Sequence, residues 1–278
     1  MGTELESIGG AMGMIARKIS QRNGSKMPLT TLTRLEREQM IADLSNKEPG
    51  TLTGMTCSEC LNRGYFYRVR EDGSRYTEEC RCMTRRRNID RLERSGLADM
   101  VKRYTFKTWD KTGRERKAAY DVAMSFCNDP SGWLVVAGKP GTGKTHLCTA
   151  VCVEMMRREY DTRYIMWRDF AVTAKATVND ADGYARLLDP VKTAKVLYLD
   201  DFFKTGKGQD PTTADVNLAF EILNHRYNDS RLITIISTEY TVERMIDIDE
   251  AVGSRIYERS RRFYLPMNGE NWRTKDDG

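Results

Sequence analysis

The sequence predicts an α/β chain, a parallel sheet with helices on both faces, preceded by a small cysteine-rich ribbon and an N-terminal helical segment. Three observations carry this prediction. From about Tyr104 onward, helical patterns alternate with short apolar runs, as a parallel sheet requires. One run, Trp133–Ala137, enters a glycine-rich turn that opens onto a helical pattern. Upstream, two cysteine pairs bracket a stretch of alternating residues. The predicted domains are 1–50, 51–96 and 97–278.

Residues 1–50 hold two weakly amphipathic patterns, near 5–20 and 30–45, separated by Gln21–Pro28. In the second, Thr31 can cap a helix whose Leu32, Leu35, Met40, Ile41 and Leu44 recur at roughly helical spacing, and Asn46–Gly50 closes it. This segment carries no chemistry and reads as a helical arm.

In the next unit, Tyr65–Arg70, the turn Glu71–Ser74 and Arg75–Thr77 read as a hairpin. Cys57 and Cys60 precede it and Cys80 and Cys82 follow, with 19 residues between the pairs. Four thiolates at this spacing suit one tetrahedral zinc site of the ribbon type, and a unit without a large core needs such a staple. Both histidines, His146 and His225, lie far downstream, which leaves the four cysteines as the ligand set. The competing readings are four unliganded thiols or a redox pair. Tyr65, Tyr67 and Tyr76 beside Arg68, Arg70 and Arg75 either stack on single-stranded nucleic acid or cover the hairpin itself. A basic helical stretch, Arg85–Arg94, then stops at Ser95-Gly96.

The α/β part reads as helix 114–127, strand 133–137, helix 144–159, a strand near 162–167, a polar helical region 169–190 and strand 196–199. Helix 213–228, strand 232–236, a helix near 241–245 and strand 263–265 complete it. Cys127, Cys148 and Cys152 fall on helix faces and read as core.

Gly138-Lys139-Pro140-Gly141-Thr142-Gly143-Lys144-Thr145 matches G-x-x-x-x-G-K-[ST] between a strand and a helix. The glycines let backbone N–H groups wrap phosphates, and the helix N-terminus adds partial positive charge. Lys144 would reach the β- and γ-phosphates of ATP, and Thr145 would hold Mg²⁺. The apolar run 196–199 ends in Asp200-Asp201, 56 residues after Lys144. Asp200 would join the Mg²⁺ shell, and Asp201 would orient the attacking water as base. Ser237 and Thr238, after the next apolar run, would sense the γ-phosphate or else serve as helix caps.

Composition sets the outer limits. No run approaches 18 apolar residues, which excludes a membrane-spanning helix. The N-terminus puts acidic residues where a signal peptide needs basic ones, so the chain is expected in the cytoplasm without a disulfide framework. The net charge of +5 is uneven: Arg81–Tyr120 holds 13 Lys/Arg against 5 Asp/Glu, and the rest of the chain is net acidic. That basic stretch is a candidate contact for nucleic acid or a partner, or simply a solvated face.

These motifs together with Gly253-Ser254-Arg255-Ile256-Tyr257-Glu258-Arg259 resemble an AAA+ ATPase. The cysteine module, the Arg94–Leu97 junction, the run Gly138–His146, the segment Leu199–Lys204 and Gly253–Arg259 are similar to bacterial and phage replicative helicase loaders of the DnaC/DnaI type. The resemblance spans about 55–270. It implies an ATP hydrolase that binds a hexameric DnaB-type helicase through its N-terminal module and assists its placement on single-stranded DNA. It also implies a nucleotide site extending to His146, and self-association in which Arg255 or Arg259 serves a neighbour as arginine finger, with Arg255 favoured because it directly follows a Gly253-Ser254 cap. Met267–Gly278 is too short for the usual helical lid, and Arg273 would be a remnant nucleotide sensor. The usual second acidic residue is Glu; here it is Asp201. A transposase-helper ATPase shares the core but normally lacks the ribbon. A non-hydrolysing ATP-dependent DNA-binding adaptor is the third reading.

Overall fold

A computed structural model of the chain describes residues 32–94, 98–206, 209–269 and 271. The helical pattern near 5–20, Ser95–Leu97 of the junction and Arg273 lie outside the described residues. The chain divides into two compact units, Met1–Cys80 and Arg81–Gly278.

In the first unit, α1 (Arg34–Asn46) starts two residues later than Thr31 predicts. The reason is a capping box: Thr33 Oγ1 accepts from Glu36 N at 3.2 Å, and the Glu36 carboxylate accepts from Thr33 N at 2.8 Å. The hairpin forms as expected from β1 (Tyr65–Val69) and β2 (Arg75–Glu79), with Tyr67 opposite Thr77. At the end of α1 the Asn46 side chain pairs with the Tyr67 backbone like a short strand, donating to its carbonyl and accepting from its N–H, both at 2.9 Å. Every residue of β2 is exposed, and no residue of β1 is fully buried. Arg70 stacks over Tyr76 at 4.6 Å, Arg68 pairs with Glu78 and Arg75 with Glu38, so these cations are answered within the unit.

In the second unit, α2 (Cys82–Arg94) belongs with the sheet, which puts the division upstream of the predicted 96/97 boundary. The physical reason is Asn88, 1% exposed, whose amide donates to Tyr160 O and accepts from Thr162 N. Arg91 pairs with Asp161 and Arg81 with Glu159, so part of the local basic excess is neutralised by the core's own carboxylates. A short helix, α3 (Ala98–Arg103), precedes α4 (Arg114–Asn128).

The remaining elements are β3 (Trp133–Gly138), α5 (Lys144–Arg157), β4 (Thr162–Met166), α6 (Trp167–Thr177), α7 (Ala181–Thr193), β5 (Val196–Phe202), α8 (Thr213–Tyr227), β6 (Ile233–Thr238), α9 (Val242–Ile248), α10 (Glu250–Ser260) and β7 (Tyr264–Met267). The five strands from β3 onward form one parallel sheet in the order β4-β5-β6-β3-β7. Its faces are separated by the pleat. Trp133 and Val135 of β3 join a cluster with α6 to α10, while Leu134 and Val136 join one with α4 and α5. Cys127, Cys148 and Cys152 lie in the second cluster as expected, and burial pushes the thiols of Cys127 and Cys152 up to about 12.

Three local readings change. The polar region 169–190 is two helices, because Asp180 caps α7 by accepting from Gly183 N. The strands β5 and β6 run two or three residues further than their apolar runs, which brings Asp200, Asp201, Ser237 and Thr238 into the sheet. Gly253-Ser254 is no cap: Asp249 caps α10, its carboxylate accepting from Val252 N, and Gly253 lies inside the helix. A Cβ on Gly253 would meet the Ile246 backbone N at 2.4 Å, so this glycine permits the close approach of α9.

One buried cation ties the sheet to its helices. Arg226 of α8 is 0% exposed and donates to the carbonyls of Val191, Lys192, Ala194 and Ile233 and to Thr234 Oγ1. It thereby satisfies carbonyls at the C-terminus of α7 that have no partner within the helix.

Candidate functional site

The loop after β3 has the conformation its glycines predict. Gly138, Gly141 and Gly143 take φ of +145°, +79° and +98°. A Cβ on Gly138 would strike Met267 O at 2.0 Å, and one on Gly143 would lie 3.1 Å from the Trp109 ring. Lys144, 5% exposed, opens α5, and its Nζ donates to Lys139 O at 2.8 Å. Burial lowers the Lys144 ammonium pKa, and Glu239 followed by Asp201 oppose that shift. Thr142 Oγ1 also donates to Lys139 O, so the loop is closed on itself by two side chains. Lys139 and Pro140 form its exposed crest.

Asp200, 3% exposed, accepts hydrogen bonds from four side-chain hydroxyls. Its Oδ1 accepts from Tyr198 Oη at 2.7 Å, Ser237 Oγ at 2.5 Å and Thr145 Oγ1 at 3.1 Å, and its Oδ2 accepts from Tyr164 Oη at 2.8 Å. Burial and then this negative charge raise both phenols' pKa values, which keeps them protonated as donors. The Thr145 hydroxyl and Asp200 carboxylate are hard oxygen donors brought together at the loop, a set that fits Mg²⁺.

Ser237 and Thr238, expected to face a γ-phosphate, are 0% exposed and turned inward. Ser237 Oγ donates to Asp200 and accepts from Asp201 N at 3.0 Å, while Thr238 Oγ1 donates to Phe202 O and accepts from Tyr240 N. They position the acidic strand. Asp201 sits at φ +50°, where β5 shifts register against β6, and its carboxylate meets Lys204 at 2.8 Å. Glu239, just past β6, meets the same ammonium at 3.3 Å. Lys204 closes the segment Leu199–Lys204 but has no role predicted there, and Glu239 belongs to no motif; the only signal for Glu239 was that it follows an apolar strand by a few residues.

Beside the loop lies a cavity of about 540 Å³, of a size suited to a small ligand, lined by residues including Thr112, Gly113, Arg116, Thr142, Leu265 and Met267. Apart from Thr142, none was singled out in the sequence, because 112–116 and 265–267 converge from distant segments. Trp109 supports this region, with its Nε1 donating to Arg116 O and the Arg116 guanidinium 4.3 Å from its ring.

His146, expected at the nucleotide, instead faces the 104–109 segment. It stacks on Tyr104 at 4.9 Å and lies 3.2 Å from Thr105 O. Burial lowers its pKa and the Thr105 carbonyl opposes that shift. The neutral ring is therefore favoured in the fold. The stability this gives is present above about pH 6.5 and is lost as pH falls through the lowered value. Melting temperatures at pH 8 and pH 5.5 are expected to differ less in His146→Gln than in the wild type; an unchanged difference counts against it.

Arg255 donates to Asn224 Oδ1 and Ala251 O and lies over Phe220 and Tyr227. Arg259 lies over Trp133, and its carbonyl adjoins Gly132. Gly132 precedes β3 and the phosphate loop follows it, six residues later, or about 20 Å along a strand. Arg259 thus stands at the end of the sheet opposite its own chain's loop.

The sulfurs of Cys57, Cys60, Cys80 and Cys82 all lie within 4.8 Å of one another. Cys57 Sγ and Cys80 Sγ are 3.8 Å apart. Tetrahedral zinc with Zn–S of about 2.3 Å requires S–S edges of about 3.8 Å, so the set fits zinc. Gly64 N donates to Cys60 Sγ at 3.2 Å, and Leu61 and Asn62 at φ +50° and +64° turn the chain around that sulfur.

A family model described as IstB-like ATP binding protein matches residues 76–276. The phage-like element PBSX protein XkdC of Bacillus subtilis (strain 168) is 30% identical over 224 residues, 77% of this chain and 82% of that protein. The replicative helicase loader DnaC of Escherichia coli (strain K12) is 23% identical over 194 residues, 67% of this chain and 76% of that one. A crystal structure of the DnaC helicase loader superposes with a TM-score of 0.51 at 21% identity, over 62% of this chain and all of that chain.

Proposed function

The chain belongs to the IstB-like ATP-binding protein family, AAA+ ATPases of the IstB/DnaC type, and from that premise we propose that it is an ATP-dependent loader of a replicative helicase. It binds a DnaB-type hexamer and assists its placement on single-stranded DNA, and ATP binding and hydrolysis control assembly and release. The observation that carries the ATPase half is the contact of Thr145 with Asp200 at the mouth of a glycine loop that leads into α5 at Lys144. Thr145 and Asp200 would hold Mg²⁺, which when bound neutralises phosphate charge. Lys144 orients the terminal phosphates, and a carboxylate at the β5–β6 edge activates water. The place of Arg259 at the end of the sheet away from the loop, with Arg255 one turn earlier on α10, supports a finger given to a neighbouring copy, hence self-association.

The similarity to loaders and the cysteine module favour helicase loading over the transposase-helper reading, which a 24% identical insertion-sequence IS21 putative ATP-binding protein of Pseudomonas aeruginosa keeps as the alternative. The module is the proposed helicase contact. Because the hairpin arginines are answered within the unit, the proposed single-stranded DNA contact lies in the ATPase part. No helix among the described residues is long and apolar enough to cross a membrane.

The test is capture of a DnaB-type helicase by the full chain with ATP. Wild type is expected to retain it, and Lys144→Ala to lose both retention and ATP turnover, the latter by roughly 10²-fold or more. Absence of capture by wild type overturns the loader reading; ATP binding unchanged in Lys144→Ala overturns the phosphate-loop assignment.

A further inference from the structure

At the mouth of the phosphate loop, carboxylates from two neighbouring strands share one ammonium. Lys204 Nζ lies 2.8 Å from Asp201 Oδ2 and 3.3 Å from Glu239 Oε1. Phe202 of β5 is paired with Thr238 of β6, so Asp201 and Glu239 emerge on adjacent strands at the sheet edge that carries the loop.

The two acids are held differently. Asp201 is fixed on every side: its φ is +50°, its N–H is bound to Ser237 Oγ and Asp200 Oδ1, and its carbonyl accepts from Lys204 N at 2.9 Å. Its short side chain is thereby confined to the ion pair with Lys204 in the same turn. Glu239 has one more methylene, is an exposed residue just past the strand end, and meets Lys204 at the longer distance. Of the two, Glu239 has the larger influence on the Lys144 ammonium.

We propose that Glu239, rather than Asp201, accepts the proton of the attacking water, and that Lys204 holds Asp201 as a fixed counter-charge. The proposal rests on the ATPase reading above. The water oxygen bonds to the γ-phosphorus, and the bond from that phosphorus to the β–γ bridging oxygen breaks. The electron pair of that bond leaves with ADP, and the water proton passes to the Glu239 carboxylate. The acidic pair expected on one strand is in this way divided between two strands, and the longer side chain compensates for the short Asp201.

The experiment is single-turnover ATP hydrolysis by the full chain as wild type, Glu239→Gln and Asp201→Asn, alone and with single-stranded DNA and helicase. ATP affinity is measured in parallel with a fluorescent analogue, and the rate is followed against pH. Glu239→Gln is expected to slow hydrolysis by about 10²–10⁴-fold and to abolish the acidic limb of the pH profile, with ATP affinity held within about threefold. Asp201→Asn is expected to slow it less than about tenfold. A wild-type rate in Glu239→Gln, a loss of ATP affinity matching its loss of rate, or a full loss in Asp201→Asn alone overturns the assignment to Glu239. A wild type that binds ATP and hydrolyses none under any condition overturns the ATPase reading itself, and the assignment with it.

Discussion

Stripping zinc from the full-length chain is expected to unfold the hairpin β1–β2 while leaving ATP binding in place. The reason lies in what the hairpin lacks. All of β2 is exposed and none of β1 is fully buried, whereas Cys60, Cys80 and Cys82 are 2%, 1% and 5% exposed. With zinc bound, the four thiolates would take the place that a hydrophobic core occupies elsewhere. Structural zinc sites supply about 10–16 kcal/mol of metal-binding free energy, far more than the one or two polar links that Asn46 adds. The phosphate loop, by contrast, rests on the two apolar clusters of the sheet. Metal analysis is expected to find one zinc per chain, and a strong chelator to remove amide-exchange protection across 65–79. Absence of zinc, or protection that survives chelation, contradicts the assignment of the four cysteines.

Arg226→Ala is expected to be the most damaging single substitution outside the zinc site. It removes the donors for four carbonyls and one hydroxyl in a region with no access to water. Burial lowers the guanidinium to about 9, so it is protonated at neutral pH and its charge is dispersed over those acceptors. Breaking a buried hydrogen-bonded charge network typically costs ~3–5 kcal/mol. For a unit of this size that lowers the melting temperature by roughly 6–20 °C. Arg226→Lys is expected to recover only part of the loss, because an ammonium cannot reach acceptors on both α7 and β6. Melting within about 2 °C of wild type in Arg226→Ala would show that the clip is dispensable.

The phosphate loop and the cysteine set were legible because each is written in consecutive or regularly spaced residues whose chemistry depends on that spacing. Asp200 was legible for a related reason, as the first polar residue after a fully apolar strand. What escaped the sequence was assembled by the fold. Thr112–Arg116 and Leu265–Met267 line one cavity from opposite ends of the ATPase core, and neither segment has a pattern of its own. The hydroxyls of Ser237 and Thr238 were read as outward-facing because the apolar run stops at Ile236. The sheet continues through them, and the nearby carboxylate and carbonyl satisfy their buried hydroxyls. Gly253-Ser254 imitated a helix cap, although a glycine in mid-helix is explained by the close approach of α9, which no local pattern reveals. His146 was carried along with its motif, and only packing shows its ring turned to Tyr104.

The order of the strands also sets a schedule for synthesis. β3 carries the phosphate loop, yet its two neighbours are β6 and β7, and Trp133 pairs beside Thr234. At translation speeds of about 5–20 residues per second, roughly 100 residues must follow β3 off the ribosome before its first partner exists, an interval of about 5–20 s. During that time β4 and β5, close in the chain, can pair with each other, while the apolar β3 waits with both edges open. A nascent chain halted between Phe202 and Ile233 therefore displays an unpaired hydrophobic strand, and chaperone capture or aggregation during expression should be greatest for truncations in that window.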